Sequence, residues 1–260
     1  KLHDLSELEQ LNSDDIKSVE VIRNPGSRYD ATVKAVVRIQ TVKRQGDGFG
    51  FNLRSSYYQS DNTDLIEQAN FNYRHNNLDI FGSVYYMGMN SWQETTIKLE
   101  EKGTKVWNHN MENYMSYHSK DLNGNIGFNY QINENHTFGA KYKTGKMLKE
   151  EFPTLKETNI LVDNAFYDNI NITGNESNSY DLGHELNAYY NGQFGSVNVD
   201  FNGDYLQNGK TNNTYFQEIS QTSENRDVHS INSVNNRLAA GKLTLSLPLG
   251  GGTFAVGSEV

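Results

Sequence analysis

The 260-residue sequence has no cysteine and only three prolines. Without thiols the chain has no disulfide, no thiolate nucleophile and no thiolate metal ligand. Scarce proline leaves long runs of backbone free to pair in sheets. No run of about 18 apolar residues occurs, which excludes a membrane-spanning helix on length. The mean hydropathy is −0.74, a value that leaves a membrane β-barrel open, since its strands alternate apolar with polar residues and its loops are polar. Positive charge is also in short supply. The net charge is −9, which argues against a nucleic-acid partner, because phosphate binding needs a basic patch. Lys1 opens a polar stretch with no apolar core of a secretory leader. The N-terminus therefore reads as cytosolic or as processed, and the rest of the sequence favours processing.

What is abundant points to strands. Tyrosine, phenylalanine and glycine number 16, 12 and 22, a composition that suits paired strands and fits helices poorly. The chain divides at a charged hinge, Lys43-Arg44-Gln45-Gly46-Asp47-Gly48. Ahead of it, residues 1–13 carry Leu2, Leu5, Leu8 and Leu11 at three-residue intervals, consistent with a short helix or turn or with a frayed terminus. A strand through Val19, Val21 and Ile22 then meets the turn Asn24-Pro25-Gly26, and a second strand follows through Val33, Ala35, Val37 and Ile39. The expected organisation is a small α/β piece over 1–42, a hinge over 43–48 and a β array over 49–260.

The array repeats. NFNYRHNNLDIFGSVYY (70–86), GFNYQINENHTFGAKYK (127–143), NAYYNGQFGSVNVDFNGDY (187–205) and LTLSLPLGGGTFAVGSE (243–259) each read as strand, tight turn and returning strand, with the Asn- and Gly-rich connections of short hairpins. Between them a short connection near Ser60–Asp64 and three long ones, roughly Asn90–Lys120, Gly145–Tyr180 and Asn208–Asn236, read as loops. Short turns alternating with long loops is the pattern of a transmembrane β-barrel. Alternation within strands agrees with it. Leu122, Gly124, Ile126, Phe128 and Tyr130 share one face opposite Asn123, Asn125 and Asn129. Ala69, Phe71 and Tyr73 oppose Asn70, Asn72 and Arg74, and Val197, Val199, Phe201 and Tyr205 oppose Asn198, Asp200, Asn202 and Asp204. Tyr57, Tyr86, Tyr130, Tyr142, Tyr190 and Tyr205 fall at strand ends, as in interfacial aromatic girdles. A soluble antiparallel sheet with one wet face shares the alternation alone; the loop asymmetry favours the barrel. About nine strands are expected from Gly48 onward, and an odd number leaves an edge unpaired in lipid, so the chain reads as a fragment.

The run Asp15-Ile16-Lys17-Ser18-Val19-Glu20-Val21-Ile22-Arg23-Asn24-Pro25-Gly26-Ser27-Arg28-Tyr29-Asp30-Ala31, continued by Ala35-Val36-Val37-Arg38-Ile39-Gln40-Thr41, resembles the end of the plug of TonB-dependent outer-membrane receptors. It is closest in style to the β-barrel receptors common in Bacteroidota. The resemblance by motif covers about 30 residues. It departs at Val33-Lys34-Ala35, where the family often carries a Gly-Gly pair, and at Asn24, which replaces the common Gly before Pro. Over the barrel it is one of pattern. It implies an all-β, antiparallel transmembrane barrel of 22 strands, entered here with about nine, preceded by the end of an α/β plug domain. It also implies a bacterial outer-membrane location with lipid around the wall, and active uptake of a scarce nutrient driven by the TonB energy-transducing complex through a segment upstream of Lys1. A surface lipoprotein partner is compatible with it. The competing readings are a passive outer-membrane barrel and a surface binding or adhesin protein.

The resemblance assigns plug–barrel contacts to Glu20, Arg23 and Arg28, with lumen carboxylates such as Glu67 and Glu185 as partners; an ordinary solvated ion pair is the alternative. Arg54 and Arg74 are expected on the lumen face. Trp92, Trp107, Tyr114 and Tyr117 fall in the first long loop, where stacking on a sugar or aromatic ligand competes with packing on other loops. The seven histidines show no metal-binding spacing, and neither a Ser-His-Asp set nor a carboxylate pair is readable. No cofactor, metal or catalytic group is therefore expected, and the chain does not read as an enzyme.

Overall fold

A computed structural model describes residues 16–23, 34–41 and 47–260, and these form two compact units, Lys1–Gly46 and Asp47–Val260. In the first unit the described residues form two antiparallel strands, β1 (Ile16–Arg23) and β2 (Ala35–Thr41). Their register pairs Val19 with Ile39, Glu20 with Arg38 and Val21 with Val37. The β-branched residues on both sides suit the pleated surface that forms here. The leucine-spaced segment 1–13, the turn Asn24-Pro25-Gly26, Arg28 and residues 43–46 of the hinge lie outside the described residues.

The second unit is one antiparallel sheet of ten strands: β3 (Gly48–Gln59), β4 (Thr63–His75), β5 (Leu78–Lys102), β6 (Val106–Asn133), β7 (His136–Val162), β8 (Ala165–Tyr180), β9 (Gly183–Phe194), β10 (Val197–Ser220), β11 (Arg226–Leu249) and β12 (Gly252–Glu259). Each strand pairs with its neighbour in sequence except at one place. There, β8 and β9 lie end to end in the gap between β7 and β10. β8 pairs with the far half of β7 and β9 with the near half. The two are one strand interrupted at Asp181-Leu182, whose backbone is still tied by the Asp181 amide donating to the Gly209 carbonyl at 3.0 Å. No helix occurs among the described residues, and so none is long and apolar enough to cross a membrane.

The connections at both ends of the sheet are short, from two to five residues. At one end, 76–77, 134–135, 195–196 and 250–251 each join their strands with two residues. Asn76, Gly195 and Gly250 take φ values of 50°, 60° and 60°, the left-handed conformation that two-residue hairpins require and that Asn and Gly supply at least cost. At the other end, the segments expected as three long loops are strands. β5 and β6 stay paired from Leu78↔Tyr130 to Lys102↔Val106, β7 and β8 to Val162↔Ala165, and β10 and β11 to Glu218↔Arg226. β6 alone is 28 residues long, about 90 Å at the ordinary strand rise. A spanning strand needs only about 9–11 residues. The sheet thus continues far past any single layer of lipid.

Candidate functional site

Cross-strand pairing fixes which residues share a face. On one face, Phe51 pairs with Phe71, Phe71 with Gly82, Gly82 with Ile126 and Ile126 with Tyr142. The row runs on through Leu186, Tyr205 and Ala239. The row beside it runs Phe49, Tyr73, Ile80, Phe128, Ala140, Ala188, Gly203 and Gly241. These rows form one apolar belt from β3 to β11, and β12 joins the same face through Val256 and Phe254, opposite Leu245 and Leu247. In β5 it spans Leu78–Tyr86 and in β6 Leu122–Tyr130, nine residues each. Most of these side chains are exposed, among them Phe51, Leu53, Val84, Ile126 and Phe254. Tyr73, Tyr130 and Tyr190 lie toward the two-residue turns and Tyr57 and Tyr86 toward the long strands, while Tyr142 and Tyr205 stand in the central row with Gly82 and Ile126. The exposed ring of Phe71 lies over Gly82, where a Cβ would stand 2.6 Å from Phe71 Cε1. Gly82 leaves the space that this aromatic covers.

The opposite face of the same segment is polar and internally bonded. Arg74 Nε meets Asp79 Oδ1 at 2.7 Å, and Lys143 Nζ stands 3.9 Å from Glu185 Oε1. Asn187 Nδ2 donates to Asp204 Oδ1 at 2.7 Å and Tyr189 Oη to Asn129 Oδ1 at 2.7 Å, while Asn125 Nδ2 donates to Ser83 Oγ. The sheet therefore presents two chemistries over one height, a dry face and a hydrogen-bonded wet one.

Beyond Tyr86, Leu122 and Tyr205 the sidedness reverses. On the face that is polar below, Trp107 pairs with Val162, His109 with Ile160 and Met111 with Thr158. The Tyr117 and Phe152 rings lie 5.0 Å apart, and Trp107 meets Tyr167 edge-on at 5.1 Å. Ile160 is the buried hydrophobic residue of this region. Where this apolar patch meets the wet face sits Glu150, which accepts from Asn178 Nδ2 at 2.7 Å and Tyr180 Oη at 2.5 Å. Lys210 Nζ lies 3.9 Å from it and 5.3 Å from the Tyr180 ring centre. Near the tip, Asp168 is 2% exposed and accepts from Ser220 Oγ, Thr222 Oγ1 and the amides of Gln221 and Asn169 at 2.7–2.9 Å. Burial raises its pKa, but these four hydrogen bonds outweigh burial and hold it below the ordinary carboxylate value.

The expected site residues disperse. Glu20 pairs with Arg38 at 3.3 Å, both well exposed, and Arg23 ends β1 opposite Ala35. Arg28 lies outside the described residues. Arg54 and Arg74 lie on the polar face, Arg54 opposite Gln68, and so does Glu185. Glu67 does not. It pairs with Ser55 and Tyr86 on the apolar face, at the rim of the belt, and accepts from Ser55 Oγ at 2.7 Å; strand parity places it with Ala69 and Phe71. Trp92, Trp107, Tyr114 and Tyr117 stand in β5 and β6, not in a loop, and on opposite faces. Trp92 donates to Asp61 Oδ2 at 3.2 Å, and Tyr114 is hydrogen-bonded to Glu94, which raises its pKa; both lie on the belt side, Trp107 and Tyr117 on the other. Sequence reading passed over Glu150, Asp168 and Tyr180. A period-two count through 145–180 would not have brought Glu150 to the face of Asp168 and Tyr180, because it takes the register shift at Ile160/Leu161 to do so. No family model matches the chain, and no curated protein matches it in sequence.

Proposed function

We propose that this chain forms part of the wall of an outer-membrane β-barrel receptor that takes up a scarce nutrient with energy supplied through TonB. The observation that supports the membrane part is the apolar belt: about nine residues tall, continuous from β3 to β12, tyrosine-edged, with two-residue turns on one side and long strands on the other. Exposed apolar surface of this extent is costly in water, and its height matches what a spanning strand needs. In this reading the bonded polar face lines the lumen, the turns face the periplasm and the β5–β6, β7–β8 and β10–β11 extensions project outside the cell. Energy coupling rests on the resemblance of residues 15–41 to the end of a plug, with the TonB-contacting segment upstream of Lys1. Glu20, Arg23 and Arg28 would then hold the plug, and a surface lipoprotein has room at the projecting strands.

The test is energised uptake. Cells expressing the receptor should accumulate its ligand only while the inner-membrane proton gradient is intact. Accumulation that survives collapse of the gradient would leave a passive barrel. Recovery of the protein in the soluble fraction would end the membrane reading altogether.

A further inference from the structure

Past the end of its pairing with β4, β5 runs on as an edge strand. β4 accompanies it only as far as Leu65↔Gly88, and from Ser91 to Lys102 its one strand partner among the described residues is β6. The last ties on the open side are made by side chains. Asp64 Oδ1 accepts from the Asn90 amide at 2.7 Å, and Asn90 Nδ2 donates to the Thr63 carbonyl at 3.0 Å. The Asn90 amide therefore points away from β6, while the Gly103 amide points across the turn and meets the Lys105 carbonyl at 3.1 Å. Alternation between these two positions settles the rest. The amides and carbonyls of Trp92, Glu94, Thr96, Lys98 and Glu100 face the open side, and no backbone meets them among the described residues.

Proteins blunt such an edge with a proline, a bulge, a short strand or charge. β5 has neither proline nor register shift over this stretch. β7 shows the contrast: an extra residue at Leu148, between the pairs Lys120↔Lys149 and Asp121↔Met147, makes a bulge there. The protection of β5 is charge alone, and that charge has a sign. Asp61, Asp64, Glu94, Glu100, Glu101 and Glu112 stand along the edge against Lys98, Lys102 and Lys105, and Lys102 is already held by Glu100 at 2.8 Å. The two faces beside the edge also differ. Trp92, Glu94, Thr96, Lys98 and Glu100 lie on the belt side. On the other side Ile97 and Leu99 are exposed, Ile97 opposite Met111 and Leu99 opposite His109, whose row continues to Ile160. The apolar patch of the extension thus reaches the bare edge.

We propose that this edge binds a free, extended, basic peptide by taking it up as an added strand. A row of amides and carbonyls repeating every second residue, about 6.8 Å apart, is met in full only by another extended backbone. Alternate side chains of the peptide then fall on opposite faces, apolar ones over Ile97 and Leu99 and basic ones beside Glu94 and Glu112. A second copy of the chain fits poorly, because it brings the same acid excess to the seam. Main-chain pairing accepts many sequences at one site, which suits a ligand that arrives as a mixture of short peptides. That the peptide binds is independent of the membrane reading; that it is the nutrient rests on the uptake reading.

The test is amide hydrogen exchange on the full-length protein in phosphatidylcholine vesicles, with a synthetic peptide of alternating lysine and valine about as long as the edge. Alone, the amides of Trp92, Glu94, Thr96, Lys98 and Glu100 should exchange fast, and the peptide should slow them about tenfold or more. A peptide of the same sequence N-methylated at alternate residues should give no protection, and a glutamate–valine peptide far less. Thr96→Pro removes an outward amide and leaves the β6 pairing in place, as edge strands allow; it should still fold and lose the peptide effect. Thr96→Val should keep it. Amides already protected without peptide would mean that the protein covers its own edge, and protection rising with protein concentration alone would mean a second copy; either overturns the proposal. So does equal protection by the N-methylated or the glutamate–valine peptide. Peptide-dependent protection in a protein that inserts into no vesicle would overturn the membrane reading and leave this one standing.

Discussion

Asp168 shows how one side chain sets the end of a projecting hairpin. Its carboxylate gathers Ser220, Gln221 and Thr222 where β10 turns toward β11, and Ser220 Oγ in turn accepts from the Ser223 amide at 2.9 Å. A carboxyl whose folded pKa is lowered stabilises the fold above its unfolded value, and that stabilisation is lost as pH falls through the folded value. The amides of Gln221 and Ser223 should therefore keep high hydrogen-exchange protection factors at neutral pH and lose them on acidification below the ordinary carboxylate range. In Asp168→Ala the protection should be low at every pH. Gly82 makes a second residue-scale case. Gly82→Val forces the Phe71 ring off its seat, with an expected loss of about 1–3 kcal/mol, measured as a lower midpoint of urea unfolding from detergent. Neither effect was readable beforehand. Asp168 sits in a segment that looked like loop, and although the Asn76-Asn77 turn fixes the pairing of Phe71 with Gly82, the seat of the Phe71 ring over Gly82 is a matter of side-chain packing.

At the scale of elements, alternation was legible wherever one face is dry. The strands around 69–74, 122–130 and 197–205 carry apolar residues at every second position, and the structure pairs them in that phase. The extensions escaped because neither of their faces is uniformly apolar. Asn108, Asn110, Asn113, Glu112 and Thr158 look like loop residues, yet their backbones are held by the hairpin register that begins within the belt. Glu67 was misplaced for a different reason: it was assigned by its charge and not by its parity with Ala69 and Phe71. Parity also gives a test of the β7 bulge. Deleting Leu148 removes the extra residue and leaves every other side chain of β7 on its present face, so the protein should still insert and migrate as folded in unheated gel samples. Deleting Lys141 instead flips one side of β7 within the belt, and folded migration should be lost.

For the whole molecule, the legible part was the class, all-β and antiparallel, while the expected contrast of short turns with long loops gives way to short connections at both ends. The reversal of sidedness above the belt was not legible, because it needs the absolute phase of six paired strands at once. It is also what separates a wall crossing lipid and then projecting into water from a sheet with one wet face throughout. The absence of cysteine makes the deciding measurement direct. Single cysteines placed at Ile126, Phe128, Asn125 and Asn129 in the reconstituted protein can be spin-labelled and their collision rates measured with oxygen, which concentrates in lipid, and with a water-soluble nickel chelate. The account predicts strict alternation, with Ile126→Cys and Phe128→Cys favouring oxygen and Asn125→Cys and Asn129→Cys favouring nickel. Equal nickel access at all four positions would contradict it.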